Sequence, residues 1–397
     1  MASKTVLVMV GSFGSGCSYI AKNILGAEGY ARVPLSDYVR AEYEKINGDA
    51  PHCRKDLQAV GTNMRLRKGP DYLAKLACEE IDALKDDRVV VDSIRNPAEI
   101  HYLKNWYPRL TVMGVYAPPN TRWHRMRQRY DDDRRQFEQD DAIDRDERIV
   151  EGQRVTACFL EADYIVDNST PIIDLKNSRP GMNLIDQVRR CLELIKDRGC
   201  HPPSDDEALM AVAYATGQRS RCMKRRVGAI IVDELGHVLS SGYNDVPASF
   251  GIEEPCKAKF NRCYRDQIRG KISKTLCTVV SDEKTFDKVN VAIWEELKAL
   301  DKCRALHAEE RAIINVARSG VCVDSKCRMF VTTFPCNLCA NKIAEIGLSE
   351  VVYSEPYPVT ESVEILDKAG VKHSPFSGVT FNGYFRLLGG MPNANVS

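Results

Sequence analysis

The sequence predicts an α/β protein of two domains, a parallel sheet flanked by helices over residues 1–200 and a three-layer α/β/α sandwich over residues 201–397. Three observations carry this reading. Apolar runs of strand length alternate with helical patterns along the chain, the breaker-rich stretch 197–206 separates two such series, and 397 residues suffice for two ordinary cores.

The first series opens with the strand Thr5–Val10, the turn Gly11-Ser12-Phe13-Gly14-Ser15-Gly16 and a helical pattern from Ser18 to about Leu25. A helix over Asp71–Leu84 leads to the strand Arg88–Asp92, and Leu110–Tyr116 and Tyr164–Asp167 read as a third and fourth strand. The charged segment 122–148 reads as a solvated helical pair, or as arginines that close over phosphates. A helix over Asn183–Lys196 ends this domain.

The second series begins with a helix over Glu207–Thr216 and strands at Val227–Val232 and Val238–Gly242. A long insertion follows, in which Val289–Leu300 has the pattern of an amphipathic helix. Then come a helix at His307, a strand at Met329–Thr333, a helix over 340–346, a strand at Val351–Tyr353 and a helix over Thr360–Ala369.

Composition narrows the function classes. The 56 basic and 55 acidic residues give a net charge of +1, so no global field draws the chain to nucleic acid or anionic membrane, and a nucleotide-sized substrate is favoured over a polymer. Fifteen cysteines scattered through the chain, with no signal-like start, read as reduced thiols and metal ligands in a cytoplasmic protein. Thr5–Val10 is too short for a membrane core and no later run approaches a span, so no membrane partner is expected.

The most informative motif is His307-Ala308-Glu309 followed by Pro335-Cys336-Asn337-Leu338-Cys339. It supplies three zinc ligands, His307, Cys336 and Cys339, and one carboxylate that is not a ligand, Glu309. Zinc bound by one imidazole and two thiolates keeps a fourth position for water and lowers that water's pKa towards neutrality. A carboxylate beside it can shuttle protons while the nucleophile attacks C4 of cytosine or C6 of adenine. The pattern therefore implies hydrolytic deamination of a nucleobase. Either half alone would be weak, since a lone Cys-x-x-Cys is also a redox pair or half of a zinc ribbon.

The turn after the first strand has the spacing of a phosphate-binding loop, with Gly11, Gly14, Ser15, Gly16 and Cys17 around the phosphates and Ser18 placed for magnesium. Its lysine is missing. Cys17 stands where the lysine would reach the β- and γ-phosphates, and Lys22 lies too far along the following helix to replace it. Binding of ATP, GTP or another nucleotide, with or without Mg2+, is expected here, and phosphoryl transfer is not.

Residues 207 to about 375 resemble a deoxycytidylate deaminase. The stretches that carry the resemblance are Ser220 to Val232, Ser241-Gly242-Tyr243-Asn244-Asp245-Val246-Pro247, Cys303 to Glu309, and the Pro335 motif through Tyr353. The resemblance implies that Asn244 contacts the deoxyribose, that Arg225 or Arg226 holds the 5′-phosphate, and that Ala308 leaves room for the base. It also implies allosteric control by deoxynucleoside triphosphates, and a second, structural zinc at Cys256, Cys263 and Cys303, with Cys277 between them. The chain departs from the family at Asp245, where a glycine is usual, and in the length of the stretch before Cys303.

Residues 4–195 resemble a nucleoside monophosphate kinase through the glycine-rich turn, Asp92-Ser93-Ile94-Arg95-Asn96-Pro97, the arginines of 122–135 and Ala162 to Asn168. This implies that Asp92 and Arg95 face a bound nucleotide. Such a domain fused ahead of a deoxycytidylate deaminase resembles the bacterial anti-phage cytidine deaminases. That resemblance implies depletion of dCMP, dCTP or both during infection, a nucleotide gate, an inhibitory small RNA and a homo-oligomer. Two alternatives stay open: a housekeeping deoxycytidylate deaminase for thymidylate synthesis, and a polynucleotide editor acting on DNA or RNA. A nucleotide sensor with an inert deaminase domain is disfavoured by the intact motif.

Overall fold

The computed structural model describes residues 4–144, 150–169, 183–198, 201–247, 257–258, 262–282, 285–286, 288–290, 293, 303–355 and 360–388. The chain divides into two compact units, Met1–Glu207 with Pro375–Ser397, and Ala208–Ser374.

In the first unit five strands run parallel: β1 (Thr5–Val10), β2 (Ala31–Pro34), β3 (Arg88–Asp92), β4 (Thr111–Tyr116) and β5 (Tyr164–Asp167). Their order is β5-β4-β1-β3-β2, and Gly378–Val379 (β13) adds an antiparallel edge beside β5. A central parallel strand is covered on both faces, which is why Val6 to Val10 are all apolar and all fully buried. Leu7, Met9, Val90 and Met113 pack with Ile20, Leu25, Val188 and Leu194 in one core.

Two expectations change here. The residues after the glycine-rich turn do not form one regular helix: Cys17–Tyr19 is a single α-turn that widens into a π-helix over Ile20–Leu25. The segment 122–148, read as a solvated helical pair, is exposed over most of its described residues but buries several of its charges. Its helix Arg134–Asp144 buries Asp140, Asp141 and Asp144, and Arg122 is 4% exposed. The reason is charge pairing. Asp141 takes both guanidinium arms of Arg122 at 2.6 and 2.9 Å, and Asp144 takes Arg54, Arg95 and Gln58.

Residues 375–388, grouped by the sequence with the second domain, fall in the first unit. Pairing of β13 with β5 and the bond from the Val379 N–H to the buried Glu207 carboxylate hold them there.

The second unit is a mixed sheet. Gly228–Val232 (β6) and Val238–Tyr243 (β7) form an antiparallel hairpin, and Arg328–Thr333 (β10) pairs antiparallel with β6 and parallel with Glu350–Glu355 (β11). The order is β12-β11-β10-β6-β7, with β12 at Lys372–Pro375. Lys257–Ala258 (β8) and Arg262–Cys263 (β9) make a small separate hairpin. Helices Ala308–Ser319 and Asn337–Glu345, termed the histidine helix and the cysteine helix, carry the motif residues. The amphipathic helix expected over Val289–Leu300 lies largely outside the described residues. Among the described residues no helix is long and apolar enough to cross a membrane.

Candidate metal centre and its surroundings

Both halves of the motif sit where a helix begins. His307 is the N-cap of the histidine helix and Cys336, just after β10, is the N-cap of the cysteine helix. Capping residues keep extended backbone, so their side chains leave the helix at its open amino end. The His307 Nδ1 atom lies 3.3 Å from the Cys336 sulfur and 3.4 Å from the Cys339 sulfur. All three ligand atoms fall within 4.8 Å of one another, and among the described residues this is the one group of its kind. One imidazole nitrogen and two sulfurs converging where two helices begin are the donor set of a zinc site with an open fourth position, so these residues fit the metal.

The three groups share protons among themselves. The Cys336 thiol falls to about 4, chiefly because Cys339 donates to its thiolate, with His307 adding a second bond. Cys339, 1% exposed, is held well above the ordinary thiol range by that same bond and by burial. His307 is raised, first by its bond to Cys336. Glu309 is 4% exposed, and burial pushes its carboxyl up to about 7. A carboxyl that gains and loses its proton near neutrality is what general acid–base work requires.

Glu310 has a different job that the sequence reading missed. It reaches back to the His307 N–H at 3.4 Å as the partner of a capping box and pairs with Lys342 of the cysteine helix at 2.9 Å. It thereby ties the two ligand-bearing helices together. The residue three positions after an N-cap is the sequence signal that identifies it.

Of the residues expected to hold the nucleotide, Asn244 is largely engaged. Its Oδ1 accepts from the Val227 N–H at 2.7 Å and its Nδ2 donates to the Arg225 carbonyl at 2.8 Å. Arg225 pairs with Glu355, whereas the exposed Arg226 donates to the neutral Gln218 side chain at 3.0 Å. Ala308 is fully buried. Of the cysteines named for a second zinc, Cys256 lies outside the described residues; Cys263 is buried, Cys303 half-buried and Cys277 exposed, and no second ligand group forms among the described residues.

In the first unit, Gly14 and Gly16 have φ of 78° and 109°, which favours glycine, and a side chain at Gly16 would meet Asn168. Ser15 is buried and its hydroxyl is 3.5 Å from the Cys17 sulfur, while Ser18 is exposed. Burial pushes the Cys17 thiol up to about 11. Carbonyls of the turn accept from Arg95 at Gly11, Arg122 at Phe13, and Arg125 at Gly14 and Ser15. Asp92 is fully buried and paired with Arg32 at 2.8 Å, and Arg95 also donates to Asp144 at 3.0 Å.

Residues 203–355 match the family model described as the cytidine and deoxycytidylate deaminase zinc-binding region. The deoxycytidylate deaminase of Enterobacteria phage T2 is 30% identical over 171 residues, 41% of this chain and 88% of that protein. The deoxycytidylate deaminase of Saccharomyces cerevisiae is 30% identical over 201 residues, 49% of this chain and 54% of that protein, so the chain spans about half the length of the yeast relative. A UPF0200 protein of Pyrococcus abyssi is 30% identical over 168 residues, 41% of this chain and 87% of that protein.

Proposed function

This chain belongs to the deoxycytidylate deaminase family and also to the UPF0200 family, and on that footing we propose that it hydrolyses a deoxycytidine nucleotide, dCMP or dCTP, to its deoxyuridine form. The observation that carries the reading is the convergence of His307, Cys336 and Cys339 with the buried Glu309 two residues from the histidine.

A zinc ion held by His307, Cys336 and Cys339 would supply the Lewis acidity that makes water nucleophilic near neutral pH. Glu309 takes the proton of the attacking water and delivers it to the ring nitrogen N3 of cytosine. It then takes the remaining proton from the hydroxyl added at C4 and passes it to the leaving amino group, so that the C4–N bond breaks, ammonia departs and a C4 carbonyl remains. Burial favours this role, because a carboxyl near 7 can both accept and return the proton. Ala308 keeps the space over the base clear. Asn244 retains one amide N–H and one lone pair for a sugar hydroxyl after its two backbone bonds. Arg226 is the better phosphate ligand of the two arginines, since Arg225 is already neutralised by Glu355.

We read the turn Gly11–Ser18, with Asp92 and Arg95, as a P-loop-like nucleotide site that gates the deaminase without transferring phosphate. Cys17 supports this, because a thiol held neutral by burial cannot replace the missing cation. Depletion of deoxycytidine nucleotides during phage infection is the physiological role we propose, with a homo-oligomer, allosteric deoxynucleotides and an inhibitory small RNA as partners. A polynucleotide editor is the second reading, and the near-zero net charge argues against it. Incubating the purified protein with dCMP, dCTP, CMP and a cytosine-bearing oligonucleotide, with and without ATP or GTP, separates these. Turnover of dCMP or dCTP supports the nucleotide reading, and reaction of the oligonucleotide alone removes it.

A further inference from the structure

On the reading of the site just given, we infer that Arg311 is a positioning residue that registers the arginine-bearing segment 219–227 against the histidine helix, so that the phosphate and base ends of one nucleotide meet groups at a fixed separation. Arg311 lies one helical turn beyond His307, and its N–H bonds to the His307 carbonyl at 2.9 Å. Its guanidinium donates to the carbonyls of Asp245 at 2.7 Å and Val246 at 3.0 Å, and packs over the Tyr243 ring 4.8 Å from the centroid. The same Asp245 carbonyl accepts the Leu306 N–H at 3.0 Å. One oxygen therefore joins the residue before the metal ligand to the helix that carries it.

The opposite side of this strand exit is bound to the arginine-bearing segment. The Asp245 carboxylate, 3% exposed, accepts from Arg221 at 2.7 Å. The Asn244 side chain bonds the backbone of Arg225 and Val227, the Ser220 hydroxyl donates to the Asn244 carbonyl, and Arg219 packs on Tyr243 at 4.7 Å. Tyr243 to Val246 is thus pinned on one side to residues 219–227 and on the other to the histidine helix. Asp245, a departure from the family pattern noted in the sequence, is the residue at which both sets of bonds meet. A planar guanidinium can bridge two carbonyls and stack on a ring at once; an ammonium, a point charge, can do only part of this.

The test compares full-length Arg311→Met and Arg311→Lys with the unaltered protein, each loaded with zinc and separately with cobalt(II). Arg311→Met is expected to reduce the preference for dCMP over deoxycytidine, measured as the ratio of kcat/KM values, by roughly tenfold to a hundredfold. The visible absorption of its cobalt form should change, and Arg311→Lys should recover part of both. A brace that contributes only stability lowers the melting temperature and leaves the ratio and the spectrum alone, and that result overturns the proposal. If Arg311→Met does not fold, the Arg311→Lys comparison decides by the same criteria. If the unaltered protein deaminates none of dCMP, dCTP and deoxycytidine, the deaminase reading fails, and the cobalt spectra still decide the positioning role: a change supports it, and identity overturns it.

Discussion

Gly242 on β7 meets Ala308 of the histidine helix backbone to backbone: a Cβ at Gly242 would lie 2.1 Å from the Ala308 carbonyl oxygen and 2.4 Å from the Ala312 nitrogen. Only glycine allows the strand so close to the turn that presents His307 and Glu309. Gly242→Ala must push the helix outwards, because both atoms it meets are backbone and neither can rotate away. The expected result is a loss of deamination of about a hundredfold, as for a misplacement of about 1 Å, in a protein that still folds. Steady-state kinetics on dCMP beside a thermal melt checks this, and unchanged kinetics would show that the contact does not set the helix position.

Arg65 and Glu99 form an ion pair in the first unit with 2% and 0% of their side chains exposed. Glu99 also accepts the N–H groups of Arg95 and Asn96. Glu99→Ala leaves a buried guanidinium uncompensated, at a cost of about 3–5 kcal/mol. The exposed pair Lys326–Glu234, by contrast, is water-screened, so Glu234→Ala should leave the unfolding midpoint where it is. Urea denaturation of the two variants should separate them clearly.

Cys17 gives a pH prediction. Its thiol is raised from an ordinary 9.0 to about 11, chiefly by burial. The thiolate is the reactive form, so at pH 8 the folded protein holds about a hundredfold less of it than a free cysteine. Because the protonated thiol is the form the fold favours, the associated stability is fully present below the unfolded value and is lost as pH rises through about 11. Peptide mapping after timed alkylation should find Cys17 slow at pH 8 in the native state and fast in urea. Rapid labelling in the native state would contradict this.

The parts legible in the sequence are those whose signal is local. β1, β3 and β10 are apolar runs bounded by turns, and the residues of the converging His307, Cys336 and Cys339 group belong to two short motifs. What escaped depends on partners far along the chain. β13 has two residues and joins a strand more than two hundred positions earlier, so nothing near it announces a strand. In β2 only Val33 is fully buried, too little for a pattern. Asp140, Asp141 and Asp144 read as a solvated helix face because Tyr130, Arg122, Arg95 and Arg54, which receive them, are up to 90 residues away. Arg311 and Glu310 look like ordinary helix charges until Asp245 and Lys342 are seen beside them.

Ligand removal should separate metal binding from catalysis. Cys339→Ser and His307→Ala each delete one of the three converging atoms, and each should purify with little zinc and no deamination. A chelator should abolish activity of the unaltered protein and added zinc restore it, with metal content followed by elemental analysis.

The most direct measurement is the rate of dCMP deamination by zinc-loaded Glu309→Ala beside that of the unaltered protein, with metal content determined for both. Proton transfer through Glu309 requires that the variant keep its zinc and lose activity by about 10²–10⁴-fold or more. A zinc-loaded Glu309→Ala protein that deaminates dCMP at the unaltered rate would contradict the assignment of this buried carboxyl as the proton carrier.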